Sequence, residues 1–283
     1  MSKYHKGSKI FVTEVVIKVM DLNRAVEFYK SIMGFKVLRK KEKKVVMTVD
    51  GINPIVTLIR PDDIVPKEHR RTGLYHFAIL LPTRKDLGKF IKNIREKGYP
   101  IVGGSNHGVS EALYLQDPED NGIEVYADTP DRNWERTLIG VKMITEPMDY
   151  RGLIELAGDD VWQGAPDGTI LGHMHLHVSN LDESLNFYSA LGFKLVQAMM
   201  DQAYFVSTGG YHHHIGFNIW NGKGAPPPPE DSAGMKYFTL KFPDEDTRKE
   251  KINNLKEQGY VMIEKNNKLF TRDPSKNLIK LIV

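Results

Sequence analysis

The sequence predicts an α+β protein built from four tandem units, each a strand, a helix and further strands, and three observations carry that prediction. Residues 12–37, VTEVVIKVMDLNRAVEFYKSIMGFKV, lie almost residue for residue over 171–195, LGHMHLHVSNLDESLNFYSALGFKL. Residues 73–99, GLYHFAILLPTRKDLGKFIKNIREKGY, match 234–260, GMKYFTLKFPDEDTRKEKINNLKEQGY, without a gap over their first half. Both of the latter segments then reach a DP turn and a strand, DPEDNGIEVY at 117–126 and DPSKNLIKLI at 273–282.

In units one and three an alternating apolar run (Val15, Ile17, Val19; Met174, Leu176, Val178) reads as a strand with one buried face. Asp21 and Asn180 follow, where a helix N-cap belongs, because a short polar side chain there satisfies an orphan backbone N–H. The next residues place Ala25, Phe28, Tyr29 and Ile32, and likewise Ser184, Phe187, Tyr188 and Leu191, at helical spacing up to Gly34 or Gly192, which suits the stop. Units two and four repeat the plan of strand, turn, helix and Gly-Tyr. Residues 131–168 have no copy and contain a short helical stretch near Leu153–Leu156, so they read as a connection. The division is therefore 1–130 for modules one and two, 131–168 for the connecting segment, and 169–283 for modules three and four. NGKGAPPPPEDS at 221–232 reads as a surface connection, since four consecutive prolines cannot lie inside a sheet.

Composition narrows the function classes. The 283 residues contain no cysteine, so no thiol can act as nucleophile, ligand or bridge, and nothing calls for an oxidising compartment. No apolar run approaches the roughly 18 to 20 residues of a membrane span, and MSKYHKGSKI lacks the apolar core of a signal peptide, so a cytoplasmic setting is expected. Lys+Arg 39 against Asp+Glu 36 gives a net charge of +3, with the signs mixed along the chain. That pattern supports neither a nucleic-acid nor a membrane partner and favours small molecules, while leaving room for a homo-oligomer.

Comparing the units with one another locates the chemistry. The equivalent first-strand position is Glu14, His76, His173 and Tyr237 in units one to four, and the last-strand position is Glu124 in unit two and Lys280 in unit four. Unit three starts that strand with His212, His213 and His214; unit one has Asn53, Pro54 and Ile55. Two histidines and one carboxylate from units two and three make a set able to bind a divalent metal with open positions remaining. Glu14, Tyr237 and Lys280 make a second set that an ammonium disables. A lone strand histidine is more often a hydrogen-bonded polar residue than a ligand; it is the coincidence of three at equivalent positions that argues for a site. By period two, His175 and His177 share the face of His173 and compete with it, although repeat register favours His173.

GLYHFAILLPTR, HGVSEALYLQDPEDNGIEVYADTP, GHMHLHVSNLDESLNFY and GGYHHHIGFNIWNG together resemble the vicinal oxygen chelate superfamily, and within it the two-domain extradiol ring-cleaving dioxygenases similar to catechol 2,3-dioxygenases. The resemblance covers most of the chain. It implies four βαβββ modules forming two incomplete β-barrels flanked by helices. It implies His76, Glu124 and His173 as metal ligands, His213 as the acid/base histidine, His107 as a histidine contacting substrate or oxygen, and Tyr114 and Tyr126 as tyrosines near the metal. The chain departs from the commonest members, whose ligands come from modules three and four. Here modules two and three hold the set, which implies barrels formed by modules 2+3 and 1+4.

The implied cofactor is Fe(II), with Mn(II) as the alternative, and the implied partners are a small aromatic diol and O₂. A two-His, one-carboxylate set on a six-coordinate ion leaves three positions for them, with a net charge of +1 that a catecholate offsets. A histidine, with an ordinary pKa of about 6.5, suits proton transfer near neutral pH. The bland alternative for His212–His214 is a hydrated strand edge, and period two would put His213 on the face opposite His212 and His214, leaving open which of the three faces the metal. Tyr114 and Tyr126 have a packing role as their ordinary explanation, and His107 a solvated loop. The rival functions are a glyoxalase-type metal-dependent isomerase or lyase, which normally uses a fourth protein ligand, and a non-enzymatic small-molecule-binding protein.

Overall fold

The computed structural model describes residues 2–283. Module one comprises β1 (Phe11–Lys18), α1 (Leu22–Ser31), β2 (Lys36–Lys41), β3 (Lys44–Thr48) and β4 (Pro54–Ile59). Module two comprises β5 (Gly73–Leu80), α2 (Arg84–Glu96), β6 (Gly103–Asn106), β7 (Ser110–Gln116) and β8 (Gly122–Asp128). The connection adds β9 (Glu146–Pro147) and α3 (Tyr150–Ala157). Module three follows with β10 (Ile170–His177), α4 (Leu181–Ala190), β11 (Lys194–Met199), β12 (Ala203–Ser207) and β13 (Ile215–Asn218). Module four ends the chain with β14 (Gly234–Lys241), α5 (Glu245–Glu257), β15 (Met262–Lys265), β16 (Lys268–Arg272) and β17 (Leu278–Ile282). No helix among the described residues is long and apolar enough to cross a membrane.

The helices start where their caps dictate. Asp21 accepts from the Arg24 backbone N–H, Thr83 from Asp86, Asn180 from Asp182 and Glu183, and Asp244 from Thr247. The main hydrophobic core joins helix residues such as Phe28, Phe90, Phe187 and Leu255 to strand residues such as Ile17, Phe77, Leu176 and Phe238. The alternate strand face of module two carries a separate small cluster of Ala78, Leu80, Ala112 and Tyr126. The strand period of two thus assigns Phe77 to the helix-backed core and Ala78 to the opposite face.

The strands form two curled sheets, one of eight strands in the order β15-β16-β17-β14-β1-β4-β3-β2 and one of nine in the order β11-β12-β13-β10-β5-β8-β7-β6-β9. Antiparallel pairing of β1 with β14 joins modules one and four, and antiparallel pairing of β5 with β10 joins modules two and three. The connecting segment is not mere spacer: β9 extends the second sheet beside β6, and α3 packs on α2. A Cβ at Gly88 would run into the Leu153 carbonyl, so glycine permits that helix contact.

Sequence neighbours are held together by a second device. The Tyr29 hydroxyl of module one donates to Asp117 of module two at 2.8 Å, and the Tyr188 hydroxyl of module three donates to Asp273 of module four at 3.1 Å. Each aspartate also accepts from an asparagine four residues on, Asn121 or Asn277. The repeated FY and DP motifs are therefore the two halves of one buried hydrogen bond, which ties one to two and three to four while the sheets tie one to four and two to three.

One expectation about strands fails. His212, His213 and His214 do not begin a strand: β13 starts at Ile215, and the three histidines lie in an irregular segment before it. Period-two alternation therefore does not apply to them, and a hydrated edge is excluded because all three are buried.

Candidate metal centre

The second sheet brings the three candidate ligands together by register. Ala78 on β5 is the cross-strand partner of His173 on β10 and of Glu124 on β8, and His76 lies two residues before Ala78 on the same face. A small residue between them keeps the face open. One nitrogen of His76, one of His173 and a carboxylate oxygen of Glu124 lie within 4.8 Å of one another, all in buried residues.

The three groups converge on one carboxylate oxygen, which pairs with His173 and leaves His76 over. His173 Nε2 lies 3.2 Å from Glu124 Oε2. His76 Nε2 lies 3.0 Å from the same oxygen, yet that contact lacks hydrogen-bond geometry and the nitrogen is left without a partner. An orphaned buried ring nitrogen is costly in a folded protein. Burial pushes the His173 imidazole down to about 4 against the pull of Glu124, so it is uncharged at neutral pH with a lone pair to offer. Two imidazoles and one carboxylate converging in a buried site are a donor set for a divalent cation, and the residues fit such an ion.

The strand's other histidines are taken. His175 sits directly opposite His76, with ring centroids 4.9 Å apart, but its Nε2 receives the Asn218 amide at 2.9 Å. The oxygen of that amide meets His177 Nδ1 at 2.8 Å. One asparagine thus holds both.

Around the trio, His107 Nε2 lies 2.7 Å from the Tyr114 hydroxyl and His107 Nδ1 lies 2.8 Å from the Ile144 carbonyl, so the connecting segment orients this loop histidine. Burial, reinforced by the charge of Glu124, pushes the Tyr114 phenol well up and keeps it protonated. The Tyr126 ring packs on His173 with centroids 4.9 Å apart, and its hydroxyl meets that of Tyr211 at 2.8 Å. The ring centroid of His213 is 4.0 Å from that of His173, and burial pushes His213 well below the usual imidazole range. His212 and His214 face elsewhere: His212 Nε2 lies 3.0 Å from Asp128, and His214 Nε2 lies 3.0 Å from the Tyr4 carbonyl. A cavity of about 880 Å³ opens against His76, Tyr114, Gly104 and Tyr75. His76 is the member of the trio that lines it; Glu124 and His173 lie deeper.

Several contributors were not among the sequence candidates. The N-terminal segment closes one flank: His5 Nε2 lies 2.8 Å from the Gly172 carbonyl, and Tyr4 stacks on Trp134. Gly172 is required there, since a Cβ would meet the Tyr126 hydroxyl. Asp128 had a visible signal, because period two from Glu124 through Tyr126 reaches it. Tyr4 and His5 had none.

In the first sheet, Glu14 is the cross-strand partner of Thr239, and Thr239 that of Lys280. The Glu14 carboxylate accepts the Thr57 hydroxyl at 2.6 Å, and its charge acts on the Lys280 ammonium. The imidazole that lines the same cavity as Glu14 and Lys280, His5, has its Nε2 on the Gly172 carbonyl.

The glyoxalase/bleomycin resistance protein/dioxygenase superfamily model matches residues 12–125 and 170–281. A catechol-2,3-dioxygenase of Bacillus subtilis (strain 168) is 43% identical over 278 residues, which is 97% of this chain and 96% of that protein. A lactoylglutathione lyase of Arabidopsis thaliana is 31% identical over 126 residues, 41% of this chain and 44% of that protein. Among solved structures, glyoxalase I from Zea mays superimposes with a TM-score of 0.60 at 21% identity, covering 96% of this chain and 92% of that one, a likeness of fold. The repeated modules, their sheet pairing and these matches together establish that the chain belongs to the glyoxalase/bleomycin resistance protein/dioxygenase superfamily.

Proposed function

We propose that the protein is an extradiol ring-cleaving dioxygenase that opens a catechol-type aromatic diol with O₂, using Fe(II), or Mn(II) in its place, held by His76, Glu124 and His173. The observation that carries the reading is the converging trio with its orphaned His76 nitrogen, in a chain 43% identical over nearly its whole length to a catechol-2,3-dioxygenase. The bound ion would supply Lewis acidity toward the diol and a meeting point for diol and dioxygen.

The surrounding residues have duties that follow from their contacts. His213, uncharged and beside His173, takes a proton from a diol hydroxyl and returns one to the opened product, a service worth about 10²- to 10⁴-fold. Tyr114, held by His107 Nε2, presents its hydroxyl oxygen as an acceptor toward the cavity, because His107 Nδ1–H is spent on the Ile144 carbonyl. Tyr126 walls the site and fixes the His173 ring. The catalytic unit is then modules two and three together, straddling the division between 1–130 and 169–283.

Anaerobic reconstitution with each ion, followed by oxygen uptake on a panel of small catechols, tests this. Uptake with ring-opened product is expected with at least one ion. Absence of uptake on every diol, with isomerisation of a hemithioacetal instead, would overturn it in favour of a lyase.

A further inference from the structure

The cavity that opens against His76 carries more positive than negative charge. Histidines aside, five cationic and three acidic side chains line it. Two of the acids are already paired: Glu119 with Arg24 at 3.2 Å, and Glu68 with Arg71, whose Nε donates to it at 2.8 Å. That leaves Lys18, Lys67 and Arg70 against Asp120. Lys18 donates to the Glu230 carbonyl at 2.7 Å, with the charges of Asp231 and Glu230 acting on it. Arg70 is exposed, where an ion pair is worth little. Lys67 is the half-buried cation of the three that has no acid paired with it.

Lys67 Nζ donates to the Asp120 carbonyl at 3.1 Å and makes no other hydrogen bond among the described residues. An ammonium carries three donors, so most of its capacity is unused. The charges of Asp117 and Asp120 act on it from beyond ion-pair distance, and the Asp117 carboxylate is already held by Tyr29 and Asn121. A cation drawn out of water without an anionic partner is costly. Its backbone is fastened on both sides to the proline-rich connection 221–232: the Val65 N–H donates to the Asp231 carbonyl and the Thr72 N–H to the Pro226 carbonyl, each at 3.0 Å. The cavity wall then leads from Lys67 to the metal centre. The ammonium's charge acts on His177, the His177 ring packs on Tyr75 with centroids 5.1 Å apart, and Tyr75 packs on His76 at 5.0 Å.

Resting on the ring-cleavage reading for the diol itself, we infer that the diol carries an anionic substituent, a carboxylate, and that Lys67 is the specificity-determining residue that pairs with it. With the hydroxyls at the His76 end, the substituent runs along the Tyr75 and His177 wall and meets the ammonium. The cavity, at about 880 Å³, has room for more than an unsubstituted diol. The unpaired cations of the rim draw an anion toward the same mouth, since a cleft lined by one sign of charge concentrates the opposite one.

Dihydroxyphenyl carboxylates with zero, one or two methylenes between ring and carboxylate, each set against its own primary amide, test this on the reconstituted full-length protein. Acid and amide differ in charge and hardly in shape. At least one acid should exceed its amide in kcat/KM by roughly 10-fold or more, the scale of one hydrogen bond to a charged group, and mainly through KM. In Lys67→Met the ratio should fall toward one, and Lys67→Arg should retain it. Because the ratio is taken within each protein, a general loss of activity cancels. Equal values for every acid and its amide in the wild type would overturn the inference. So would a preference that survives in Lys67→Met, which would place the carboxylate on the metal ion or on another cation. Calorimetric binding of the same pairs to the reconstituted protein without O₂ separates this inference from the reading beneath it. A Lys67-dependent preference for the acid without ring opening would defeat ring cleavage and leave the anion site standing, whereas ring opening without the preference would do the reverse.

Discussion

Thr239 holds in the first sheet the place that Ala78 holds in the second. Ala78 is flanked by His173 and Glu124, and Thr239 by Glu14 and Lys280. The two sheets are thus superimposable in register but not in chemistry. An apolar methyl between two donors leaves them free for a cation, whereas Thr57 and Thr239 hydroxyls approach Glu14 and an ammonium offsets its charge. A buried cation beside Lys280 would be repelled.

It follows that the chain should bind one divalent ion and not two. Glu124→Gln and His173→Ala should lose it, while Glu14→Gln and His175→Ala keep it. Metal content after exhaustive dialysis decides the matter. Two equivalents in the wild type, or loss of metal in Glu14→Gln, would break the asymmetry, and loss in His175→Ala would move the ligand two residues along β10.

Tyr29→Phe should destabilise the fold by about 1–3 kcal/mol, because it leaves the buried Asp117 oxygen without its hydroxyl donor. Metal content should be unaffected, since Tyr29 is in the helix-backed core. Urea unfolding of the two proteins at neutral pH gives the difference; an unchanged midpoint would mean that the FY and DP motifs do not bind adjacent modules.

Acid should loosen the N-terminal flank. Burial pushes His5 down to about 4 from 6.5, so below pH 6.5 the unfolded chain binds the proton that the folded one refuses. Stability carried by this group is present above about pH 6.5 and lost as pH falls toward 4, to the extent of about 2 kcal/mol between pH 7 and 5. Asp273, which burial pushes up to about 6, works in the opposite sense over that range. The comparison is therefore between wild type and His5→Gln, and the variant should show the shallower loss of stability on acidification. Equal slopes would refute it.

Repeats made most of the architecture legible, because a duplicated segment reports its own equivalent positions: His76, His173 and Glu124 emerge by comparison with Tyr237, Glu14 and Lys280. The helix caps at Asp21 and Asn180 were legible for a local reason, since capping needs only the next three residues. The histidine run was not, because strand periodicity presumes a strand and residues 212–214 lie outside one. His5 and Tyr4 were illegible for another reason. Their partners Gly172 and His214 are 167 and 210 residues away, and no local pattern encodes such a contact.

His213→Phe should keep the metal and slow turnover by about 10²- to 10⁴-fold, as expected of an acid/base group that is not itself a ligand. Metal analysis alongside steady-state rates separates the alternatives. Loss of the ion would make His213 a fourth ligand and favour lyase chemistry.

Ring cleavage of the proposed kind should place both atoms of dioxygen in an opened aromatic ring. Turnover of a catechol by the reconstituted protein under isotopically heavy O₂, quenched before carbonyl exchange and followed by mass spectrometry, measures this directly. A ring-opened product carrying both heavy atoms is expected. A product that carries none, or one whose ring remains closed, would contradict it.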